Sequence, residues 1–134
     1  MACTKSGIHG RDRGVAILAA GRSRLKRGDV VIAAGGSGFG GKPRPYVVVQ
    51  SNDYRATTLI LCGCHSLDDV RVHMRPLLHP SVQNGLRKVS EVTVDTPVTM
   101  RIERIDLTIG HLDESELDAV DAALLLIFGL AQTR

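Results

Sequence analysis

Short apolar runs separated by turn-forming residues dominate the chain from residue 29 onward. Runs of this length, rich in β-branched residues and bounded by Gly, Pro, Asn or Asp, are typical of β-strands. They predict six strands: Val30–Ala34, Tyr46–Gln50, Thr57–Cys62, Val70–Met74, Glu91–Asp95 and Val98–Glu103. Strands at this spacing, with turn signals between them, indicate a small β-barrel or sandwich.

The last stretch of the chain has the period of an α-helix instead. Asp113 can cap the first turn, and Glu116 three residues later completes a capping-box pattern. Gly129 is suited to end the helix. The apolar positions that repeat at helical spacing are Leu117, Val120, Leu124 and Ile127. We therefore expect a C-terminal helix with a structural role.

Length and composition indicate one globular domain. The chain has 134 residues, of which 43% are hydrophobic and 23% charged. Its densest apolar runs, Val15–Ala20 and Ala122–Phe128, fall far short of the roughly 20 residues that a membrane span needs. Three cysteines, an odd number, favour a reducing compartment over a secreted disulfide framework. We therefore expect a cytoplasmic protein without a membrane partner.

The net charge of +3 is unevenly distributed along the chain. Residues 1–28 carry seven basic side chains and one acidic one, residues 29–104 carry nine and seven, and residues 105–134 carry one and six. We interpret residues 1–27 as a basic, flexible leader, with an RNA-contacting arm as the alternative. Residues 28–134 then form the folded domain. Most of the basic excess lies in the leader, so the net charge is weak evidence for nucleic-acid binding.

A glycine-rich segment precedes the second predicted strand. Residues 35–41 include five glycines and lead into Lys42-Pro43. A phosphate-binding P-loop needs Ser or Thr after the lysine, and proline has no N–H to offer a phosphate. The segment therefore predicts a flexible hairpin loop beside a binding surface and not a nucleotide triphosphate site.

The run Cys62-Gly63-Cys64-His65 raises the possibility of a metal site. On a strand the two cysteines share one face and His65 points to the other. A structural zinc site needs four ligands, usually with cysteines spaced two to four apart, and His73 or His79 could complete one. Nothing in the spacing specifies either histidine. We therefore predict buried thiols, with no metal and no cofactor.

Arg44 is the side chain best placed for chemistry. Pro43 and Pro45 restrict the backbone on both sides and so fix Arg44 where a loop enters a strand. A guanidinium held in place suits phosphate, because it stays charged and donates paired hydrogen bonds. His65, at the end of the neighbouring predicted strand, can exchange a proton near neutral pH. An ordinary surface arginine and an ordinary loop histidine are the competing interpretations.

The order of these motifs resembles that of the MazF/PemK-like toxins of type II toxin–antitoxin systems. The resemblance rests on an opening strand Gly28-Asp29-Val30-Val31, a loop that closes on Arg44-Pro45, and a following Val47-Val48-Val49-Gln50-Ser51. It continues through Gly85-Leu86-Arg87-Lys88 and Gly110-His111-Leu112-Asp113 into the final helix. About residues 26–131 take part.

The resemblance implies an SH3-like small β-barrel, mainly β, with a C-terminal helix and usually a homodimer. It also implies a metal-independent endoribonuclease that cuts single-stranded RNA at short sequences and is neutralised by a cognate antitoxin. In such chemistry the ribose 2′-OH attacks the adjacent phosphate. The products are a 2′,3′-cyclic phosphate and a 5′-OH.

Site residues follow from the same resemblance. Arg44 matches the catalytic arginine of the family, whereas His65 stands where a threonine is expected when Ser66 is matched to the serine that follows it. Three alternatives stay open: His65 serves as acid or base, Ser66 supplies the hydroxyl, or the activity is impaired. The residues expected to contact RNA are Lys42, Gln50 and Asn52.

A non-enzymatic toxin of the same fold that binds a protein target such as gyrase is the alternative function. It would explain the missing threonine. A plain SH3-like adaptor is disfavoured because proline-peptide grooves are lined with aromatic rings. The aromatic residues of the chain are Phe39, Tyr46, Tyr54 and Phe128. With so few rings for base stacking, RNA recognition would depend on polar groups and on phosphate contacts.

Overall fold

A computed structural model describes residues 25–34, 42–67 and 72–131. Within these ranges the chain forms seven strands, a short 3₁₀ turn and one α-helix. The strands are β1 (Asp29–Ala34), β2 (Pro43–Val48), β3 (Thr58–Ser66), β4 (Leu77–Leu78), β5 (Ser90–Val92), β6 (Val98–Arg101) and β7 (Ile105–His111). The 3₁₀ turn spans Ile102–Arg104, and the helix, α1, spans Glu114–Ile127.

The strands form one antiparallel sheet in the order β4-β5-β3-β2-β1-β7, with β6 paired to β3 outside this path. The nine-residue β3 changes partner along one edge. Its first half pairs with β6 and its last three residues pair with β5. This exchange curls the sheet into a half-barrel, closed on one side by α1. The predicted class, a small β-barrel with a C-terminal helix, is confirmed.

The central strands are buried on both faces, which explains why their sequences read as continuous apolar runs. Val30, Val47 and Cys62 belong to the core cluster that also contains residues of α1. The alternate residues Val31, Val48 and Leu61 belong to a second cluster. Because side chains alternate along a strand, one short strand contributes to two cores.

The C-terminal helix begins and ends as predicted. The Asp113 side chain accepts a hydrogen bond from the Glu116 N–H at 2.7 Å, and the Glu116 side chain accepts one from the Asp113 N–H at 2.9 Å. Gly129, with φ of +71°, lies just beyond the end of the helix in the left-handed region that favours glycine. The buried residues of α1 are Val120 and Ala123. Ile127, predicted on the buried face, is exposed.

One predicted strand is wrong in its described part. Residues 72–74 of the predicted strand Val70–Met74 form a turn, and Met74 has φ of +76°. The backbone of this segment bonds to a buried side chain and not to a neighbouring strand: the Val72 N–H donates to Glu91 Oε2 at 2.9 Å. Residues 70 and 71 lie outside the described ranges.

Two strands were not predicted. β4 is only two residues long and lies inside the proline-rich stretch that reads as a loop. β7 forms an edge of the sheet, and Asp106, Leu107 and Thr108 are exposed there, so the segment lacks a clear alternation. Edge strands with exposed polar residues give a weak pattern in sequence.

The predicted leader, except residues 25–27, and the predicted glycine-rich hairpin loop lie outside the described residues. Leu25 packs against the second core cluster. Arg27 Nη2 lies 2.6 Å from Asp121 Oδ1 of α1. In the described part of the chain, no helix has the length and apolarity required to cross a membrane.

Candidate active site

The register of β2 and β3 determines where the predicted catalytic side chains lie. Tyr46 pairs with Gly63 in this antiparallel ladder. Continuing the register by two residues places Arg44 opposite His65. Because every second side chain points to the same side of a strand, Arg44, Tyr46 and His65 share one face of the sheet.

A small cleft lies over this face. Its wall on one side is the β2–β3 ladder, and on the other side it is the turn between β5 and β6. The residues that line it are Arg44, Pro45, Tyr46, Gly63, Cys64, His65, Thr93, Thr96 and Val98. Arg44 and His65 are both partly exposed. The structure thus brings together two side chains that lie 21 positions apart in the sequence.

Tyr46 forms part of the cleft and was not recognised from sequence. Its side chain is only 2% exposed. Burial raises the pKa of Tyr46, and the charge of Arg44 opposes this only in part, so the phenol stays neutral at physiological pH. Its hydroxyl has no hydrogen-bond partner among the described residues. Because side chains alternate along a strand, the position of Arg44 on the cleft face of β2 predicts that Tyr46, two residues later, lies on the same face.

A carboxylate lies beside the cleft on the turn that follows β5. Asp95 Oδ1 accepts a hydrogen bond from Arg75 Nε at 2.8 Å, and its Oδ2 accepts one from Arg75 Nη2 at 3.0 Å. The bond from Arg75 holds the pKa of Asp95 below its usual value, and the nearby imidazole of His65 contributes in the same direction. Sequence reasoning missed this pair, because its members are separated by 20 residues and no local motif joins them.

Ser66 is not brought into the cleft. It follows His65 on the same strand, so its side chain points to the opposite face. It is exposed and lies opposite Ser90 of β5. Of the two candidate replacements for the family threonine, the structure places His65 beside Arg44.

Gln50 and Asn52 lie along a different cavity, of about 320 Å³, beyond the other end of β2. The Gln50 amide is engaged by the backbone: Nε2 donates to the Tyr54 carbonyl at 3.0 Å and Oε1 accepts from the Ile60 N–H at 3.2 Å. Asn52 Oδ1 accepts from the Arg27 N–H at 2.7 Å. Lys42, the third residue expected to contact RNA, is exposed two positions before Arg44.

The two cysteines of β3 face the same core cluster, as the strand pattern predicts. Burial raises the pKa of Cys62 and of Cys64 to about 12, so both remain protonated thiols at neutral pH. Among the described residues, no group of three or more His, Cys, Asp or Glu side chains is arranged to hold a metal ion.

Comparisons with known proteins identify a family that matches most of the chain. A family model described as PemK-like, MazF-like toxin of type II toxin–antitoxin system matches residues 26–128. The chain is 29% identical over 108 residues to the probable endoribonuclease MazF of Mycolicibacterium smegmatis. That alignment covers 80% of this chain and 99% of the relative.

Solved structures share the fold. A mycobacterial endoribonuclease in complex with its cognate antitoxin matches with a TM-score of 0.66 at 17% identity, over 81% of this chain and 99% of that one. The toxin MazF-mt6 of Mycobacterium tuberculosis matches with a TM-score of 0.64 at 21% identity, over 78% and 99%. Since the family model spans most of the sequence and the folds agree, this chain belongs to the PemK-like, MazF-like toxins of type II toxin–antitoxin systems.

Proposed function

We propose that this chain is an endoribonuclease toxin that cleaves single-stranded RNA at short sequences and thereby arrests growth. The observation that carries the proposal is the joint placement of Arg44 and His65, both partly exposed, on the lining of one small cleft. A cation for a phosphate and a group that exchanges protons near neutral pH are the two requirements of phosphodiester cleavage. The relative from Mycolicibacterium smegmatis, named a probable endoribonuclease, supports the same activity.

Arg44 supplies the charge. When the ribose 2′-OH attacks the adjacent phosphorus, negative charge increases on the non-bridging oxygens of the phosphorane. A guanidinium that is already in position stabilises this charge more than the ground-state phosphate, which lowers the barrier. The prolines on both sides of Arg44 restrict the backbone and so maintain that position.

His65 moves the proton. Attack requires that the 2′-OH lose its proton, and departure of the 5′ oxygen requires that this oxygen gain one. An imidazole on the same face as Arg44 can perform such a transfer, which contributes typically 10²–10⁴-fold to a rate. Ser66 points away from the cleft, so we assign this step to His65 and no catalytic step to Ser66.

The products are a 2′,3′-cyclic phosphate and a 5′-OH. The nucleophile belongs to the RNA itself, and Arg44 supplies the electrophilic assistance, so the proposed reaction uses no metal ion. Lys42, exposed beside the entrance to β2, contributes a phosphate contact. Gln50 and Asn52 contact RNA only where a longer substrate reaches the cavity beyond the other end of β2.

We further propose that the toxin forms a homodimer and is neutralised by a cognate antitoxin. The end of α1 supports a protein interface, because apolar side chains are exposed there in one contiguous stretch. They are Leu125, Leu126, Ile127, Phe128 and Leu130. Exposed apolar patches of this kind mark protein–protein contacts. The mycobacterial structural relative is itself bound to its antitoxin.

The decisive experiment is cleavage of a long single-stranded RNA by purified protein in the presence of a metal chelator. We expect discrete fragments, and we expect Arg44→Ala to reduce the cleavage rate by about 10²–10³-fold, as removal of a comparable transition-state donor does. Arg101→Ala is the matched control, because the Arg101 side chain on β6 is 68% exposed and lies outside the cleft. It should cleave like the wild type.

The gyrase-type alternative gives the opposite result in the same experiment. RNA left intact by a protein that still arrests growth would support a non-enzymatic toxin. An Arg44→Ala variant as active as the wild type would show that the cleft is not the site of cleavage.

A further inference from the structure

We infer that the cavity beyond the end of β2 binds one nucleobase of the RNA substrate, stacked on the ring of Tyr54. The identity of the ligand rests on the proposed function, which the inference deepens by placing sequence recognition away from the cleft that contains Arg44. Binding of a base to this cavity can be measured in the free protein, without cleavage.

The loop that carries Tyr54 is held by a buried side chain. Gln50 is only 7% exposed; its Nε2 donates to the Tyr54 carbonyl at 3.0 Å and its Oε1 accepts from the Ile60 N–H at 3.2 Å. The Tyr54 N–H donates to the Ser51 carbonyl at 3.2 Å. Both backbone polar groups of Tyr54 are therefore bonded within the protein, although the residue is 63% exposed. A rigid, exposed ring of this kind loses little conformational freedom when a flat ligand covers it.

The cavity beside Tyr54 has the size and the lining of a site for a flat, partly apolar ligand. Its volume of about 320 Å³ lies within the range of small-molecule sites. Buried Val48 and Leu59 line it together with the partly buried Leu25 and Ile102. The cleft, by contrast, encloses only about 10 Å³ among the described residues. A base is therefore accommodated by the cavity and not by the cleft.

Exposed polar residues of the cavity suit the edge of a base and its phosphate. Asn52 Oδ1 accepts from the Arg27 N–H at 2.7 Å, which fixes the plane of the Asn52 amide. An amide can donate to a base edge or accept from it. Lys26 and Arg55 are the cations of the lining and Glu103 is its acid. This excess of positive charge favours a nucleotide, with its phosphate, over an uncharged apolar side chain of a protein partner.

The cavity and the cleft lie at opposite ends of β2. The six residues from Arg44 to Gln50 span roughly 20 Å of extended chain. The bound base therefore belongs to a nucleotide several positions away from the cut. A contact so far from the reacting atoms is equally strong before and during the reaction, so it lowers KM and selects the sequence without raising kcat.

The test is an NMR titration of the free protein with each of the four ribonucleoside 5′-monophosphates. The chain has two tyrosines, so the ring signals of Tyr54 are assigned by their loss in Tyr54→Leu. We expect at least one nucleotide to shift these signals in a saturable manner. Tyr54→Phe keeps a ring and should still bind, whereas Tyr54→Leu should bind roughly tenfold more weakly, as expected for loss of one base–aromatic stack. Leu107→Ala, at an exposed apolar position on β7 outside the cavity, is the matched control and should bind like the wild type.

The RNA assay adds the consequence for recognition. Tyr54→Leu should raise KM roughly tenfold, leave kcat near that of the wild type and relax the preferred cleavage sequence. Tyr54 signals that no nucleotide shifts at millimolar concentration would overturn the inference, even in a protein that cleaves RNA. A Tyr54 ring that a soluble paramagnetic reagent cannot reach in the free protein would also overturn it, because a protein segment would then cover the cavity. Saturable nucleotide binding by a protein that leaves RNA intact would instead overturn the proposed function and leave the site established.

Discussion

At the scale of single residues, the proposed site differs from the one that the family resemblance implies in the residue to which we assign the proton transfer. A histidine stands at the position where the resemblance leads one to expect a threonine. An imidazole exchanges protons near neutral pH, which an aliphatic hydroxyl does not. We therefore expect the proposed reaction to show the pH dependence of an imidazole.

Alanine substitutions at His65 and at Ser66 test the assignment of the proton transfer to His65. His65→Ala should slow RNA cleavage by about 10²–10⁴-fold, the usual contribution of a general acid or base. Ser66→Ala should stay within a few-fold of the wild type, because that side chain faces away from the cleft. Single-turnover rates on one RNA substrate compare the two variants. If Ser66→Ala lost as much activity as His65→Ala, Ser66 would have to be counted as a catalytic residue.

Tyr46 and Asp95 show why residue-level prediction from sequence was incomplete. Arg44 is a candidate because two prolines mark it, and His65 because it lies at a predicted strand end. Asp95 lies on the turn beside the cleft and is bound by Arg75, which is 20 residues away in sequence. Nothing local in the sequence links Arg75 and Asp95. Strand alternation from Arg44 predicts the face on which Tyr46 lies, but in the sequence Tyr46 reads only as part of an apolar run.

At the scale of elements, a buried polar side chain joins the loop before β5 to the start of α1. Asn84 is fully buried. Its Nδ2 donates to the His79 carbonyl at 2.9 Å and to Glu116 Oε2 at 3.0 Å. Its Oδ1 accepts from the N–H groups of Ser81 and Leu86, each at 3.0 Å. The same Glu116 completes the capping box, so this one amide connects loop geometry to helix initiation.

Removal of that amide should destabilise the fold. Asn84→Ala leaves the buried Leu86 N–H without its acceptor and opens space in the core, which we expect to cost about 2–4 kcal/mol of unfolding free energy. Urea denaturation measures it. Gln83→Ala, at the exposed neighbouring position, is the control and should change stability by less than about 0.5 kcal/mol. Equal stability of the two variants would show that Asn84 is not a structural hub.

The elements that sequence predicted best are those with strong local signals. The helix has a capping box at its start and a glycine at its end, and both are present in the structure. The central strands were predicted within a few residues because they are buried on both faces. β7 was missed because an edge strand with exposed polar residues has no clear period. The predicted strand at residues 70–74 failed in its described part because a buried glutamate, Glu91, organises that segment.

At the scale of the whole molecule, the cleft and the exposed apolar surface at the end of α1 are formed by different residues. The cleft with Arg44 lies between the β2–β3 ladder and the turn after β5, whereas the exposed apolar residues lie at the end of α1. A partner that covers the helix end therefore need not cover the cleft directly. This separation is compatible with a dimer that remains active until an antitoxin binds.

The proposed homodimer can be tested at the helix end. We expect the wild-type protein to have about twice the 14.4 kDa mass of one chain in solution. The double variant Phe128→Asp, Leu130→Asp should shift it toward one chain, because charge at a buried interface is costly. Light scattering after size-exclusion chromatography gives both masses. Val82→Asp, at an isolated and fully exposed apolar position, is the control. A wild-type protein with the mass of one chain would refute the dimer.

The central claim, that Arg44 and His65 promote attack of the RNA's own 2′-OH, is tested most directly by the ends of the cut. A short single-stranded RNA containing the cleavage site is incubated with the protein and a metal chelator, and the fragments are weighed by mass spectrometry. We predict a 2′,3′-cyclic phosphate on one fragment and a 5′-OH on the other, and no cleavage of an RNA with a single 2′-deoxy nucleotide at the scissile position. Fragments that carry a 5′-phosphate, or cleavage of the 2′-deoxy substrate, would contradict the account.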